Sequence, residues 1–123
     1  MAQIAKIVRA SDARMFMDGP EICRDYLRTE TMWFGSSTLG PGLTGGLDTG
    51  HPDSWEVFYC AHGHGVISDG SRSYELFTGD SLIIPPALPH TIYNAGSDTL
   101  TIVWAGAPGE LVPGAGIHAR PTA

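Results

Sequence analysis

The sequence predicts an all-β domain, a sandwich or barrel built from short strands. Three observations carry that prediction. Sixteen Gly and nine Pro in 123 residues interrupt the chain too often for a helical bundle. Hydrophobic residues make up 42% of it, which is too many for a disordered chain. Short runs rich in β-branched and aromatic residues recur between turn signals, and no stretch has a convincing helical pattern. One domain of this length buries its own core without disulfides or a structural metal.

The elements follow in order. Ile4–Val8 reads as a short edge strand, Ser11-Asp12-Ala13-Arg14 as a capped turn, and Asp18-Gly19-Pro20 as a break. Strand character resumes from Cys23 to Leu39, clearest at Thr31-Met32-Trp33-Phe34, and Gly40-Pro41-Gly42 ends it. Leu43–Gly50 is a glycine-rich approach, read either as a cavity mouth or as a flexible loop. It is not a phosphate-binding loop, since neither Lys-Ser/Thr nor a helix follows. Trp55–Ala61 is the clearest strand, with Glu56, Phe58 and Cys60 on one face and Val57, Tyr59 and Ala61 on the other. Gly63-His64-Gly65 turns into a strand at Val66–Ser68, and Asp69-Gly70 signals a hairpin back through Arg72–Phe77. Ser81–Ile84, His90–Asn94 and Thr99–Ala105 are the remaining strands, and an extended or partly disordered tail is expected from Gly106 onward.

Bulk properties narrow the function classes. A formal charge of -6 leaves no basic patch for nucleic acid. The two cysteines, Cys23 and Cys60, are expected to stay reduced. The run Met1–Arg9 lacks the apolar stretch of a signal peptide, and no segment approaches the ~20 apolar residues of a membrane span, so a cytoplasmic location is expected.

Two stretches carry the chemistry. His51 is followed by four residues, Glu56, six residues and Gly63; Gly79, Pro85, His90 and Asn94 form a second set. These spacings resemble the two motifs of the cupin superfamily, in its small single-domain members, across residues 51–94. The resemblance implies a double-stranded β-helix, the cupin jelly-roll barrel, as one domain over 1–123: a core at about 26–105, an N-terminal strand or arm at 1–25 and a tail at 106–123. It also implies one divalent transition metal (Fe, Mn, Ni or Zn) held by His51, Glu56 and His90. In the better-fitting register the first motif histidine falls on Thr49. The alternative register starts at His51 and puts the second histidine on Asp53, one residue too near Glu56. Thr49 or Asp53 is therefore the extra ligand considered, and Asp48 is read as a loop residue. Ala87 stands where the second motif has Gly.

Two imidazoles and a carboxylate form a facial set that leaves positions open for substrate or dioxygen. The expected function is a metal-dependent small-molecule enzyme, with a mononuclear non-haem dioxygenase as the lead. A non-oxidative isomerase, lyase or cyclase is the alternative, and a non-catalytic ligand-binding barrel the third reading. No catalytic residue is fixed; His62, His64 and Tyr59 are candidates, although two histidines around a hairpin glycine also suit solvent. Phe34, Phe58, Cys60, Ile92 and Trp104 are assigned to the substrate pocket. Asn94 is read as fixing a turn; Arg24, Arg28 and Arg72 are considered as holders of an anionic substrate, with solvated surface the preferred reading. The expected partners are a small-molecule ligand or substrate and a second copy in a homodimer, with neither nucleic acid nor membrane.

Overall fold

The computed structural model describes residues 3–120; residues 1–2 and 121–123, parts of the expected arm and tail, lie outside the described residues. Among the described residues the secondary structure is entirely β. The strands are β1 (Arg14–Asp18), β2 (Glu21–Arg28), β3 (Trp33–Leu39), β4 (Trp55–His62), β5 (His64–Ser68), β6 (Ser73–Phe77), β7 (Ser81–Ile84), β8 (Thr91–Asn94), β9 (Leu100–Ala107) and β10 (Gly116–Ile117). One antiparallel sheet runs β1-β2-β3-β9-β4-β7, with β10 also on β2, and a smaller one runs β6-β5-β8. This is the double-stranded β-helix.

Strand parity sets the core. In β4, Glu56, Phe58 and Cys60 are buried while Trp55, Val57 and Tyr59 are exposed, as the alternation requires. In β3 the inward set is Trp33, Gly35, Ser37 and Leu39. Phe34 therefore faces out, 38% exposed, rather than into the pocket expected of it. From the smaller sheet, Ile67, Leu76 and Ile92 pack against Leu100, Ile102 and Trp104 of the larger. Asn94 is fully buried and ties the end of β8 by donating to the carbonyls of Leu39 and Asp98 and accepting from the Gly96 amide.

Two indoles need glycine opposite them. Trp33 pairs with Gly106 and Gly35 with Trp104 across the β3–β9 ladder. A Cβ on Gly106 would lie 2.0 Å from the Trp33 ring, and one on Gly35 2.3 Å from the Trp104 ring. Each ring lies flat over a neighbour that has no side chain.

The chain ends differ from the sequence reading. Ile4–Val8 forms no strand; the N-terminal hairpin is β1–β2, turning at Gly19-Pro20. Beyond β9 the chain is anchored rather than free. Ser54 Oγ donates to the Pro108 carbonyl, the Gly109 amide donates to the Glu30 carbonyl, and β10 pairs with β2. That path delivers Glu110 to the site described below.

A register shift between Asp25 and Leu27 places a bulge at Tyr26 in β2. An extra residue reverses the facing of everything after it. Strict alternation from Glu21, Cys23 and Asp25 would turn Arg28 outward; with the bulge it is buried, 9% exposed.

Candidate metal centre

β4 brings Glu56 to the inner face. The segment 42–48, despite its glycines, runs beside β8 as a strand does. The Gly42 and Gly45 amides donate to the Asn94 and Ile92 carbonyls, and Asp48 and His90 exchange both backbone hydrogen bonds. Residues opposed in this way place their side chains on one face. Asp48 thus points in beside His90, and its neighbour Thr49 is exposed. Asp53 is also exposed, in the turn before β4. The added oxygen that faces the two histidines belongs to Asp48, while Thr49 and Asp53 are exposed.

Gly50 takes φ +92°, and a Cβ there would meet the backbone of Ala87 and Leu88 at 2.9 Å. The Ala87 amide donates to the His51 carbonyl across this approach. Ala87 itself adopts φ 63°, the conformation its motif glycine would take freely; in an alanine this costs about 1 kcal/mol.

Four donor atoms alternate around one point. His51 Nε2 lies 3.4 Å from Asp48 Oδ2 and 3.7 Å from Glu56 Oε1; His90 Nε2 lies 3.7 Å from Asp48 Oδ2 and 3.4 Å from Glu56 Oε1. Asp48, Glu56 and His90 offer three donors mutually within 4.8 Å, a group that does not include His51. These separations are long for hydrogen bonds, and those among Asp48, Glu56 and His90 suit donors that share one ion. Glu56 Oε1 and His90 Nε2 are buried without a hydrogen-bond partner. Leaving such atoms unpaired is costly unless something sits between them.

The far side of every donor is held. His51 Nδ1 is hydrogen-bonded to Glu110 Oε1, and His90 Nδ1 donates to the Leu88 carbonyl at 2.9 Å. The Trp33 indole N–H reaches Glu56 Oε2 at 3.4 Å, and the Gly50 amide donates to Asp48 Oδ1 at 2.8 Å. Both Nδ1 bonds leave Nε2 aimed inward, as orienting partners do for histidine ligands. Glu110 was invisible to motif reasoning because it lies 59 residues from His51, in the segment read as tail. Glu110→Gln is expected to weaken metal binding by about tenfold without unfolding the chain, read by competition against a chelator of known affinity.

Without an ion the carboxylates favour the protonated form of the two histidines. Burial works against the Asp48 charge, but the contact with His51, the Gly50 amide and the field of His90 bring its carboxyl down to about 2. Burial likewise opposes the His51 cation, yet Asp48, Glu56 and Glu110 raise it to about 9. Against the same burial, Glu56, the Leu88 carbonyl and Asp48 raise His90. An ion binding here displaces those protons.

The donors open onto a cavity of about 180 Å³. Phe58, Ile92 and Trp104 line it as expected, together with Phe16, Trp33 and Arg28. Cys60 does not: it is fully buried behind Phe58, its thiol facing the Gly63 carbonyl. Cys23 lines the wall, and burial lifts its thiol to about 12, so it is no nucleophile. The three proposed catalytic groups lie elsewhere. Tyr59 is on the outer face, His62 pairs with Asp98 at the surface, and His64 stacks on Phe77 at 4.3 Å between ring centroids.

A family model described as the cupin domain matches residues 35–106, well over half of the chain. The chain belongs to the cupin family. This cupin is 36% identical over 53 residues to an uncharacterised protein of Methanocaldococcus jannaschii, a match covering 43% of the chain and 42% of that protein. The chain thus spans less than half the length of that relative. Among solved structures it resembles a predicted oxalate decarboxylase from Thermotoga maritima (TM-score 0.68, 22% identity, 81% of this chain and 96% of that one). It also resembles an uncharacterised Klebsiella pneumoniae protein with a double-stranded β-helix domain (TM-score 0.73, 20% identity, 87% and 93%). A third is KdgF from Halomonas (TM-score 0.68, 13% identity, 84% and 94%). At these identities the structures speak to the fold alone.

Proposed function

We propose that this cupin is a mononuclear metal enzyme acting on a small metabolite. The observation that carries the reading is the ring of Asp48, Glu56, His51 and His90 donors at 3.4–3.7 Å, each held from behind, at the wall of a cavity. Imidazole and carboxylate ligands suit Fe, Mn, Ni or Zn. When bound, such an ion supplies Lewis-acid polarisation of substrate oxygens and, for Fe or Mn, redox chemistry. The chain's own work is to orient the donors and to wall the substrate with Phe58, Ile92 and Trp104. Dioxygenase chemistry remains the lead, because His51, His90 and Glu56 make up a two-histidine, one-carboxylate set.

Asp48 favours a second reading. A second carboxylate takes up a position the facial set would leave open, which suits non-oxidative cleavage or isomerisation, and the similar Thermotoga protein is described as a predicted oxalate decarboxylase. Oxygen consumption separates the two. With iron-loaded protein and a panel of small metabolites, the dioxygenase reading expects one O2 consumed per substrate turned over. Turnover at an unchanged oxygen level would establish the non-oxidative reading, and binding without turnover would leave a ligand-binding barrel.

The working form in this proposal is a homodimer. Ile83, Val57, Ala105, Phe34 and Leu27 form one register row across five strands on the outer face of the large sheet, flanked by exposed Trp55 and Tyr59. An apolar row of this extent calls for cover. Sedimentation at the monomer mass across micromolar concentrations would remove the dimer from the account.

A further inference from the structure

The cavity has a second pole that the donor ring does not use. The Tyr26 bulge turns Arg28 inward, where it lines the cavity although it is 9% exposed. Asp25, with no exposed surface, receives Arg28 Nε at 3.2 Å and Nη2 at 3.0 Å on its two oxygens. Arg14 binds the same carboxylate from the other side. Two guanidinium groups share one buried carboxylate, so this trio keeps one unit of positive charge.

Arg28 holds that charge out toward the cavity. Of its five N–H donors, Asp25 occupies the Nε–Nη2 edge; Nη1 has no hydrogen-bond partner among the described residues. The Trp33 and Trp104 rings lie 5.3 and 5.8 Å from the guanidinium carbon. Trp33 in turn donates to Glu56 and lies 4.5 Å from the His51 ring, tilted by 40°. One indole therefore separates the free guanidinium edge from the four donors.

We propose that Arg28 anchors the carboxylate of a small monoanionic organic acid whose other end faces the donor ring. A planar guanidinium with its end edge free matches a planar carboxylate. The cavity holds roughly six water volumes, below the usual range for drug-sized ligands, so the acid has only a handful of heavy atoms. Asp18, Glu21, Asp48 and Glu56 line the same space. They oppose a dianion such as phosphate, whereas one surplus positive charge balances a single carboxylate. The anion site stands on Arg28 and Asp25; only the direction of the acid's reacting end rests on the functional reading above.

The test is binding, with metal content measured in parallel. Glycolate and pyruvate, their neutral amides and inorganic phosphate are titrated into the protein, with and without Zn²⁺, following tryptophan fluorescence from the indoles beside Arg28. The acids are expected to bind at least about tenfold more tightly than their amides and than phosphate. Arg28→Gln is expected to erase that preference while Zn²⁺ still binds one per chain. Arg28→Lys, which keeps the pairing with Asp25, should retain only part of it. Should the glutamine variant fail to fold, the wild-type arginine Nε–H resonances decide: one should shift with glycolate and stay still with glycolamide. Equal affinity for acid and amide, or undiminished acid binding in Arg28→Gln, would overturn the anchor. Acid binding that depends on Arg28 in a protein that takes up no metal would support the anchor and sink the metal reading alone.

Discussion

Asp48→Asn is expected to weaken transition-metal binding on the order of 100-fold or more, while Thr49→Ala leaves it unchanged. Asp48 exchanges two hydrogen bonds with His90, so their side chains share a face and Thr49 takes the opposite one. Asp48 Oδ2 lies 3.4 Å from His51 Nε2 and 3.7 Å from His90 Nε2, and its other oxygen accepts from the Gly50 amide. Asparagine keeps the volume and that acceptor but loses the charge, so the loop keeps its shape while the centre loses an anionic donor. Removing an outer partner of a metal ligand typically costs 10–100-fold in affinity, and removing a donor itself costs at least as much. Isothermal titration of both variants with Zn²⁺ or Mn²⁺ checks this. Equal losses in the two would mean that the motif register, with Thr49 as ligand, describes the site better than the backbone pairing does.

Gly106→Ala carries the largest expected stability effect, a loss of about 3 kcal/mol. The new methyl would sit 2.0 Å from the Trp33 ring. That ring cannot slide away: it is fully buried, lies 4.5 Å from the His51 ring, and donates to Glu56. Relief requires moving either β9 or the indole, and moving the indole strips Glu56 of an orienting bond. Urea unfolding should therefore show a lower midpoint, and the folded fraction should bind metal more weakly than wild type. Gly70→Ala is the control: no atom stands within 4 Å of its would-be Cβ, so only the strain of its φ of +90° remains. A fall no larger at Gly106 than at Gly70 would show that Trp33 is held loosely.

Much of the fold was legible because strand alternation survives burial. The inward face of β4, the turns at Gly40–Gly42 and Asp69–Gly70, and the strands from Trp55 to Ala105 follow from period-two patterning and turn chemistry. What failed did so for identifiable reasons. The glycines of 43–50 fit a cavity mouth as well as a flexible loop; backbone pairing needs no side chains, so the segment docks on β8, lines the cavity and delivers Asp48. Arg28 is assigned to the surface because exposed arginines are the rule; the Tyr26 bulge turns it inward, and nothing in the local sequence marks a bulge there. Phe34 was placed in the pocket for being aromatic; parity, counted from Trp33, sends it out. Glu110 reaches His51 only through tertiary packing of the tail, which no spacing rule detects.

The central claim is that Asp48, Glu56, His51 and His90 hold one metal ion. Elemental analysis of tag-free protein purified without added metal, wild type beside His90→Ala, tests it most directly. The account predicts close to one Fe, Mn, Ni or Zn per wild-type chain and a large deficit in the variant. No metal in either protein, with none taken up on titration, would contradict it.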